Sequence, residues 1–359
     1  MECPYCNVVI YFELNQQEFS SNLQGEVATI NLEVHGNPPH VLTVYITKNG
    51  KIKGAFPFLT KKTAEKKSNL QFNHIVDASS EITIEDGKKL DIEVIPFDII
   101  IDGKIKKKYL EEIDRNEIHK LLQQKHKIET APIITEKFLE VFNSYDNDKQ
   151  FIVNTIGSQF NDTYKNALKA RKKLEKENIT LANQINIFDS FTAGEMLGFI
   201  AKNAVSLDLK KSNLNEIISS LQWLRSNHRT YFIINDISFL KGSFLLNRFS
   251  KFFGSISGNK PIISCNVDGN GKIEPVKNVQ SMKEGLTEIS RLINNDFRTK
   301  TFRGTISHVC CEQNAIRLLE YLEIMFNINK NDFSIEQCCS SFGVCAGLGA
   351  LGLTVFPKL

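Results

Sequence analysis

Apolar and polar residues alternate along the first sixty positions, which predicts a small β-rich unit. The alternation covers residues 8–14, 27–34 and 41–46, and Lys48-Asn49-Gly50 predicts a hairpin turn after the third segment. From about residue 61 the chain becomes polar and basic, with little apolar surface to bury. We therefore predict a β-rich domain over residues 1–60 and a linker over residues 61–73.

Beyond the linker, short apolar runs alternate with segments of helical periodicity, a pattern typical of α/β proteins. The predicted strands are 75–76, 92–101, 151–156, 184–188, 231–235 and 262–266. The predicted helices are 115–125, 135–144, 162–178, 193–207, 213–227, 244–253 and 281–294, with a turn at 268–271. The sequence thus predicts two α/β lobes, over residues 74–230 and 231–359, the first with a parallel sheet covered by helices on both faces.

Composition and charge narrow the function. The chain has 359 residues, 42% hydrophobic and 24% charged, which is typical of a globular protein. Its 44 basic and 41 acidic residues nearly cancel, which argues against nucleic acid or an anionic membrane as a partner. Residues 338–357 carry no charge, but Ser, Gly and Pro interrupt them, so no transmembrane helix is expected. The N-terminus lacks a secretory signal, which predicts a cytoplasmic protein with reduced cysteines.

Local catalytic motifs give little support for an enzyme. Gly347–Gly352 matches GxGxxG, yet the chain after it is too short for the helix and the acidic residue of a dinucleotide site. We expect four histidines to be solvated side chains rather than catalysts: His74, His119, His126 and His228. The sequence therefore predicts no catalysis.

The N-terminus carries half of a zinc knuckle. Cys3-Pro-Tyr-Cys6 places two thiolates at the spacing that zinc sites use, and His35 and His40 are the candidates for the second pair of ligands. Two free thiols and two loop histidines are the alternative, and a glutaredoxin-like redox use of the CPYC motif is a third. Cys310-Cys311 and Cys338-Cys339 are expected to be core thiols rather than a second metal site.

Eight segments over residues 74 to about 356 resemble, in order and spacing, the motifs of the DegV family. The segments are VDASSEI (76–82), VIPFDIIIDG (94–103), TAP (130–132) with Phe138, GSQFNDTYKNA (157–167), FDS (188–190), NDISFLK (235–241), KPII (260–263) and GVCAGLGALG (343–352). This resemblance implies two α/β lobes that hold one fatty acid. It also implies that the fatty acid is presented to a separate kinase.

The resemblance implies a set of ligand-binding residues. Thr130 and Ser158 match the family's two hydroxyl donors to the lipid carboxylate, while the acyl chain enters an apolar tunnel between layers. The same resemblance adds Gly157, Cys345, Asp77 and Asp189 to the predicted site.

Several site positions depart from the family pattern. This chain has Gly157 where the family motif has a serine, Ile133 where the motif has a proline, and Cys345 where the motif has a histidine. Asp162 brings a negative charge into the same loop, and the segment 239–247 lacks the family's Gly-Gly-Arg, which weakens the expectation of a kinase partner.

Three functions follow as hypotheses. The first is a non-catalytic carrier of a fatty acid or similar long-chain amphiphile. The second is an interaction protein that has kept the fold and lost the lipid. The third is a thiol enzyme that uses Cys345 or the CPYC cysteines, which requires a thiol of depressed pKa.

Overall fold

The computed structural model describes residues 3, 6, 8–12, 23–24, 27–32, 40–59, 69–145, 148–240, 258–265, 271–297, 301–338 and 341–358. The chain divides into two compact units, one of residues 1–67 with 140–146 and one of residues 68–139 with 147–359.

The first unit contains a four-stranded antiparallel sheet with strand order β1-β2-β3-β4. Its strands are β1 (Leu23–Gln24), β2 (Val27–Asn31), β3 (His40–Thr47) and β4 (Ile52–Leu59). The predicted turn at Lys48-Asn49-Gly50 is confirmed, and Gly50 supplies the left-handed backbone at φ +74°. Leu42, Val44 and Ile46 alternate along β3 and pack into one core. Residues 8–12 form no continuous strand, so that prediction is wrong for the described part.

The first lobe of the second unit is built on a parallel sheet with strand order β11-β10-β5-β6. Its strands are β5 (Phe72–Asp77), β6 (Ile92–Ile95), β10 (Gln150–Thr155) and β11 (Ile185–Asp189). Buried apolar residues such as Ile75, Val76, Ile152 and Val153 fill these strands, as a sheet covered by helices requires.

Seven helices in the described part of the first lobe accompany this sheet and connect its strands. They are α1 (Ile84–Leu90), α2 (Arg115–Gln123), α3 (Thr135–Asn143), α4 (Thr163–Glu177), α5 (Ile179–Gln184), α6 (Glu195–Leu209) and α7 (Leu214–Asn227). A short 3-10 helix, Ala78–Ser80, follows β5. The predicted start of α7 is confirmed, because Asn213 caps the helix and Glu216 returns a hydrogen bond to the Asn213 amide.

The predicted single strand over residues 92–101 is wrong. It is two strands, β6 and β7 (Asp98–Ile101), separated at Pro96-Phe97. Pro96 has no amide hydrogen to donate to a ladder, which favours a break at this point. Strand β7 instead forms an antiparallel sheet with β8 (Ile105–Lys108) and β9 (Ile128–Thr130).

The second lobe is built on a six-stranded sheet with strand order β14-β13-β12-β17-β15-β16. Its strands are β12 (Arg229–Ile233), β13 (Lys260–Cys265), β14 (Ile273–Val279), β15 (Phe302–His308), β16 (Phe333–Gln337) and β17 (Leu351–Pro357). Among the strand pairs that the structure describes in this sheet, β15 and β16 are parallel and the others are antiparallel. The Gly347–Gly352 motif leads into β17 rather than a helix, which excludes a dinucleotide turn there.

Three helices belong to the described part of this lobe, α8 (Met282–Phe297), α9 (Glu312–Phe326) and α10 (Ser341–Ala346), besides two 3-10 helices, Ile237–Leu240 and Lys330–Asp332. Apolar residues of α8 and α9 pack on the sheet in one continuous core. The predicted helix 244–253 and most of the predicted turn 268–271 lie outside the described residues.

Three of the four histidines expected to be solvated are buried, so that prediction is wrong for them. His74 contacts Asp208 at 2.9 Å, and His228 lies against the Leu224 carbonyl at the end of α7. His119 contacts the Cys338 carbonyl at 3.1 Å. Only His126 is partly exposed, where it pairs with Asp102.

Candidate functional site

Three parallel strands end side by side at one edge of the first lobe. Asp77 ends β5, Asp189 ends β11, and Gly157 and Ser158 follow β10, which lies between them. Open α/β sheets bind their ligands at this carboxyl edge. The fold thus brings together four of the six residues that the sequence assigned to the ligand.

The carboxylate of Asp77 is buried in this edge. One oxygen accepts the Ser79 amide at 2.9 Å and the other accepts the Ile156 amide at 2.5 Å. Burial raises the pKa of Asp77 to about 6, although both hydrogen bonds act in the opposite direction. The side chain ties the end of β5 to the end of β10, so its role is to position the edge.

The Asp189 side chain likewise ties the end of β11 to the turn that follows β10. Its Oδ1 accepts hydrogen bonds from the amides of Ser158 at 3.0 Å and Phe191 at 3.2 Å. Its carbonyl accepts a hydrogen bond from Arg225 at 3.2 Å. Since the Ser158 amide is engaged, the hydroxyl is the group of this residue that remains for a ligand carboxylate.

Gly157 is required by close packing. Its amide donates to the Thr192 carbonyl at 2.7 Å, and a Cβ at this position would lie 2.8 Å from the Phe191 carbonyl carbon and from the Thr192 nitrogen. Main-chain atoms cannot move aside as a flexible side chain does. A side chain at this position would therefore force the main chain at Phe191 and Thr192 to shift.

Thr130 lies at the end of β9, in the antiparallel sheet rather than the parallel one. The loop that follows is fastened to helix α4, because the Ile133 amide donates to the Thr163 hydroxyl at 3.1 Å and Asn166 donates to the Ile133 carbonyl at 2.9 Å. Thr163 begins α4 five residues after Ser158. The segments that carry the two predicted donors are thus joined through the start of this helix.

Helix α10 of the second lobe lies next to the predicted site. It carries the half-buried Cys345, and it packs against β9, the strand that ends in Thr130. The hydroxyl of Ser341, at its start, lies 3.2 Å from the hydroxyl of Ser79 in the first lobe. Both lobes therefore meet beside the predicted site.

Asp162 does not place an uncompensated charge at the site. Its exposed carboxylate accepts a hydrogen bond from Lys165 at 2.8 Å, which lowers the pKa of Asp162. The repulsion that the sequence suggested between Asp162 and an anionic head group is therefore reduced.

A buried polar network between the lobes was missed by the sequence analysis. The Glu81 carboxylate, fully buried, contacts Arg115 at 3.1 Å, Tyr109 at 3.4 Å and the Cys338 thiol at 3.5 Å. Burial and the negative charges of Glu81 and Glu336 raise the pKa of nearby Glu195 to about 8. Glu81 lies within the family-like segment 76–82, but its partners are distant in the sequence and leave no local signal.

An open cleft of about 270 Å³ lies beside Asp189, on the outer side of β11. Its lining includes Tyr164, Arg171, Asn186, Gln222 and Arg225. Most lining residues are polar, with Ile187, Phe188 and Ile218 as the apolar ones, and the volume is below the roughly 300–1,000 Å³ of most small-molecule sites. The cleft therefore does not match the apolar tunnel predicted for an acyl chain.

The apolar layer of the second lobe lies between its sheet and helices α8 and α9. Ile233, Ile289 and Leu318 are fully buried in this layer. The layer has the chemistry expected of an acyl-chain tunnel, but side chains of the protein itself occupy it.

The predicted zinc site stays a prediction. Cys3 is buried and Cys6 half-buried against the sheet of the first unit, and His40 lies in β3, but His35 is outside the described residues. Within the described part of the chain, no group of three or more His, Cys, Asp or Glu residues could hold a metal ion. Among the helices that the structure describes, none is long and apolar enough to cross a membrane.

The lobes and the polar strand edge together define a two-lobed α/β protein with a candidate binding site at the carboxyl edge of its parallel sheet. A family model described as "uncharacterised protein, DegV family" matches residues 72–358. The chain belongs to the DegV family.

Relatives support the same assignment. A DegV domain-containing protein of Staphylococcus aureus is 22% identical over 290 residues, which cover 79% of this chain and 98% of that protein. A Listeria monocytogenes homologue of the same description is 25% identical over 285 residues, or 78% and 96% of the two chains.

Solved structures share the fold. A DegV family protein from Thermus thermophilus, described as fatty-acid binding, superposes with a TM-score of 0.69 at 17% identity, over 80% of this chain and 100% of that one. A protein from Eubacterium ventriosum described as binding stearic acid gives a TM-score of 0.68 at 16% identity, over 80% and 98%. DegV from Bacillus subtilis, described as a fatty-acid-binding protein, gives a TM-score of 0.65 at 21% identity, over 80% of this chain and 100% of that one.

Proposed function

We propose that this protein binds one fatty acid, or a similar long-chain amphiphile, without catalysing a reaction on it. The observation that carries the proposal is the polar edge at the ends of β5, β10 and β11, where the Ser158 turn meets the helix that holds the Thr130 segment. Solved DegV proteins of the same fold are described as fatty-acid binding. This likeness supports the choice of ligand.

The proposed donors to the head group are short, uncharged side chains. The hydroxyls of Thr130 and Ser158 donate to the carboxylate, while Gly157 and Cys345 border it. Asp77 and Asp189 hold the main chain around the site. Hydroxyl donors bind a carboxylate without burying a positive charge, and each such hydrogen bond contributes about 1.5–3 kcal/mol.

The acyl chain supplies most of the binding energy. Burial of twelve methylenes at about 0.8 kcal/mol each gives on the order of 10 kcal/mol before ordering costs. Chain length therefore affects affinity more than one hydroxyl does. Laurate, four methylenes shorter than palmitate, is expected to bind on the order of 100-fold more weakly.

The experiment is extraction of lipid from protein purified from a heterologous host, followed by displacement of a fluorescent fatty acid by palmitate and laurate. Ser158→Ala is expected to weaken palmitate binding about tenfold to a hundredfold. Ser219→Ala, on the exposed face of α7, is the matched control and should not change it. Absence of extracted lipid together with absence of displacement would reject the function.

One observation favours a second candidate, an interaction protein without lipid. The apolar layer of the second lobe is filled by fully buried side chains such as Ile233 and Leu318. A chain that enters this layer must displace them, at a cost of about 1–3 kcal/mol or more. The lipid extraction separates the two candidates, because only the carrier retains an amphiphile.

A separate enzyme, such as a kinase, is the partner we propose for the loaded protein in the cytoplasm. The departure at residues 239–247 weakens the expectation that this enzyme is the family's kinase, and residues 241–247 lie outside the described part. Structural zinc at Cys3, Cys6, His35 and His40 is a further proposal. Elemental analysis of purified protein, compared with Cys3→Ser, tests it.

A further inference from the structure

Phe191 has an unusual backbone at the edge of the site. It lies between β11 and α6 with φ +57°, a left-handed conformation that bulky residues rarely adopt. Such conformations persist where surrounding contacts hold them, and they are concentrated at functional sites. The contacts that hold Phe191 therefore indicate what its side chain does.

Two glycines, one from each lobe, make room for this residue. A Cβ at Gly271, next to β14 of the second lobe, would lie 2.5 Å from Cγ of the Phe191 ring. A Cβ at Gly157, beside Ser158 in the first lobe, would lie 2.9 Å from the Phe191 Cα. The ring thus reaches from the first lobe to the second and fills the space above Gly271.

A cation holds the ring in this position. The guanidinium of Arg225 lies 4.4 Å from the centre of the Phe191 ring and 5.0 Å from that of Phe188. Arg225 is itself fixed by its hydrogen bond to the Asp189 carbonyl. Phe191 is therefore clamped by Arg225 and Gly271.

Phe191 is also close to the proposed head-group contact. Its amide and the amide of Ser158 donate to the same oxygen, Asp189 Oδ1, at 3.2 Å and 3.0 Å. The two nitrogens consequently lie within about 6 Å of each other. A ligand carboxylate on the Ser158 hydroxyl would be a close neighbour of the Phe191 loop.

We propose that the Phe191 ring, which reaches Gly271 of the second lobe beside Ser158, restricts the ligand to single-chain amphiphiles with a small head group, such as a free carboxylic acid. This inference rests on the proposed function. A clamped aromatic ring cannot move aside for a glycerophosphocholine group, whereas a carboxylate needs little space. Exclusion by a fixed obstacle is a common source of specificity.

The test compares two ligands with the same oleoyl chain, oleate and oleoyl lysophosphatidylcholine, by displacement of a fluorescent fatty acid. The wild-type protein should prefer oleate strongly. Phe191→Ala and Phe191→Gly, the second of which suits the left-handed backbone, should reduce that preference at least about tenfold. Phe232→Ala is the matched control, since Phe232 also packs over a glycine, Gly352, and should leave the preference unchanged.

The outcomes are distinct. If oleate binds to folded Phe191→Gly but the preference stays within about twofold of the wild type, Phe191 does not select the head group and the carrier function stands. If neither ligand displaces the probe from the wild-type protein, both the function and this inference fail. Urea midpoints of all four proteins verify that a changed preference is not a consequence of unfolding.

Discussion

The carboxylate of Asp77 accepts a 2.5 Å hydrogen bond from the amide of Ile156, at the end of the neighbouring strand. The two residues are 79 positions apart, and their contact fixes the strand edge on which the candidate site is built. The same carboxylate is buried, so its protonation is coupled to folding.

Asp77 predicts a specific pH dependence of stability. Burial raises the pKa of Asp77 from 3.8 to about 6, so between these values the native protein binds a proton that the unfolded chain releases. The resulting stabilisation is complete below the unfolded pKa and disappears as the pH rises through about 6. At its full extent, below the unfolded pKa, this stabilisation is worth about 3 kcal/mol. Urea unfolding at pH 4 and pH 7 should show that loss in the wild type and not in Asp77→Asn.

The control for this measurement is Glu85→Gln, which removes an exposed carboxylate from helix α1. Because other groups titrate in the same range, the informative quantity is the wild-type free energy minus that of the variant at each pH. Equal differences at pH 4 and pH 7 would show that Asp77 does not carry the effect.

Removal of Arg115 should break the buried ion pair of Glu81 and destabilise the protein. The Glu81 carboxylate is fully buried 3.1 Å from Arg115. Breaking a buried pair from one side costs about 3–5 kcal/mol, because the remaining charge stays desolvated. We expect Arg115→Met to lower the free energy of unfolding in urea by about that amount. The double variant Arg115→Met with Glu81→Gln should recover part of this loss.

An exposed pair gives the comparison. Lys89 and Glu85 are 2.8 Å apart with side chains 64% and 80% exposed. Such exposed pairs are screened by solvent and contribute little, so Lys89→Met should change stability far less than Arg115→Met. If Arg115→Met were as mild as Lys89→Met, the network between the lobes would not have the stabilising role assigned to it.

Periodicity and local signals predicted much of this fold. The cap formed by Asn213 and Glu216 lies within four residues, and the predicted helix starts there. The partners of Glu81 and His119 could not be predicted, because Cys338 is 257 residues from the first and 219 from the second. The steric need for Gly157 likewise depends on a loop that approaches only in the folded chain. The sequence thus named six candidate residues, of which the fold brings four to one strand edge, but it did not give the contacts that hold them.

His119 should stabilise the contact between the lobes only while it is neutral. Its ring contacts the Cys338 carbonyl at 3.1 Å and the side-chain amide of Gln337. Burial lowers the pKa of His119, so the stabilisation is present above the unfolded value of 6.5 and is lost as the pH falls below it. The protection factors of the β16 amides, calculated from the intrinsic exchange rate at each pH, should therefore fall on acidification in the wild type.

Replacement by leucine separates this effect from general acid sensitivity. His119→Leu removes the hydrogen bonds of this ring with the Cys338 carbonyl and with Gln337, at a cost of about 1–3 kcal/mol. His126→Leu removes a partly exposed histidine that pairs with Asp102 at 2.7 Å, and should cost about 1 kcal/mol or less. Equal losses in the two variants, or unchanged β16 exchange in His119→Leu at neutral pH, would contradict the assigned role.

Gly157→Ser would add a hydroxyl beside Ser158, yet we expect it to weaken the site. The new Cβ would lie 2.8 Å from the Phe191 carbonyl carbon and the Thr192 nitrogen, and both are main-chain atoms. The loop must shift, which costs about 1–3 kcal/mol, and the hydrogen bond from Gly157 to Thr192 is disturbed. Urea unfolding and palmitate displacement measure the two effects.

The double variant Gly157→Ser with Phe191→Ala identifies the cause. Since the obstruction comes from the main chain, removal of the Phe191 ring should not restore stability. Full recovery would mean that the ring, and not the backbone, blocks the position. A gain in palmitate affinity from Gly157→Ser alone would show instead that the loop accommodates a serine and that the missing hydroxyl had limited binding.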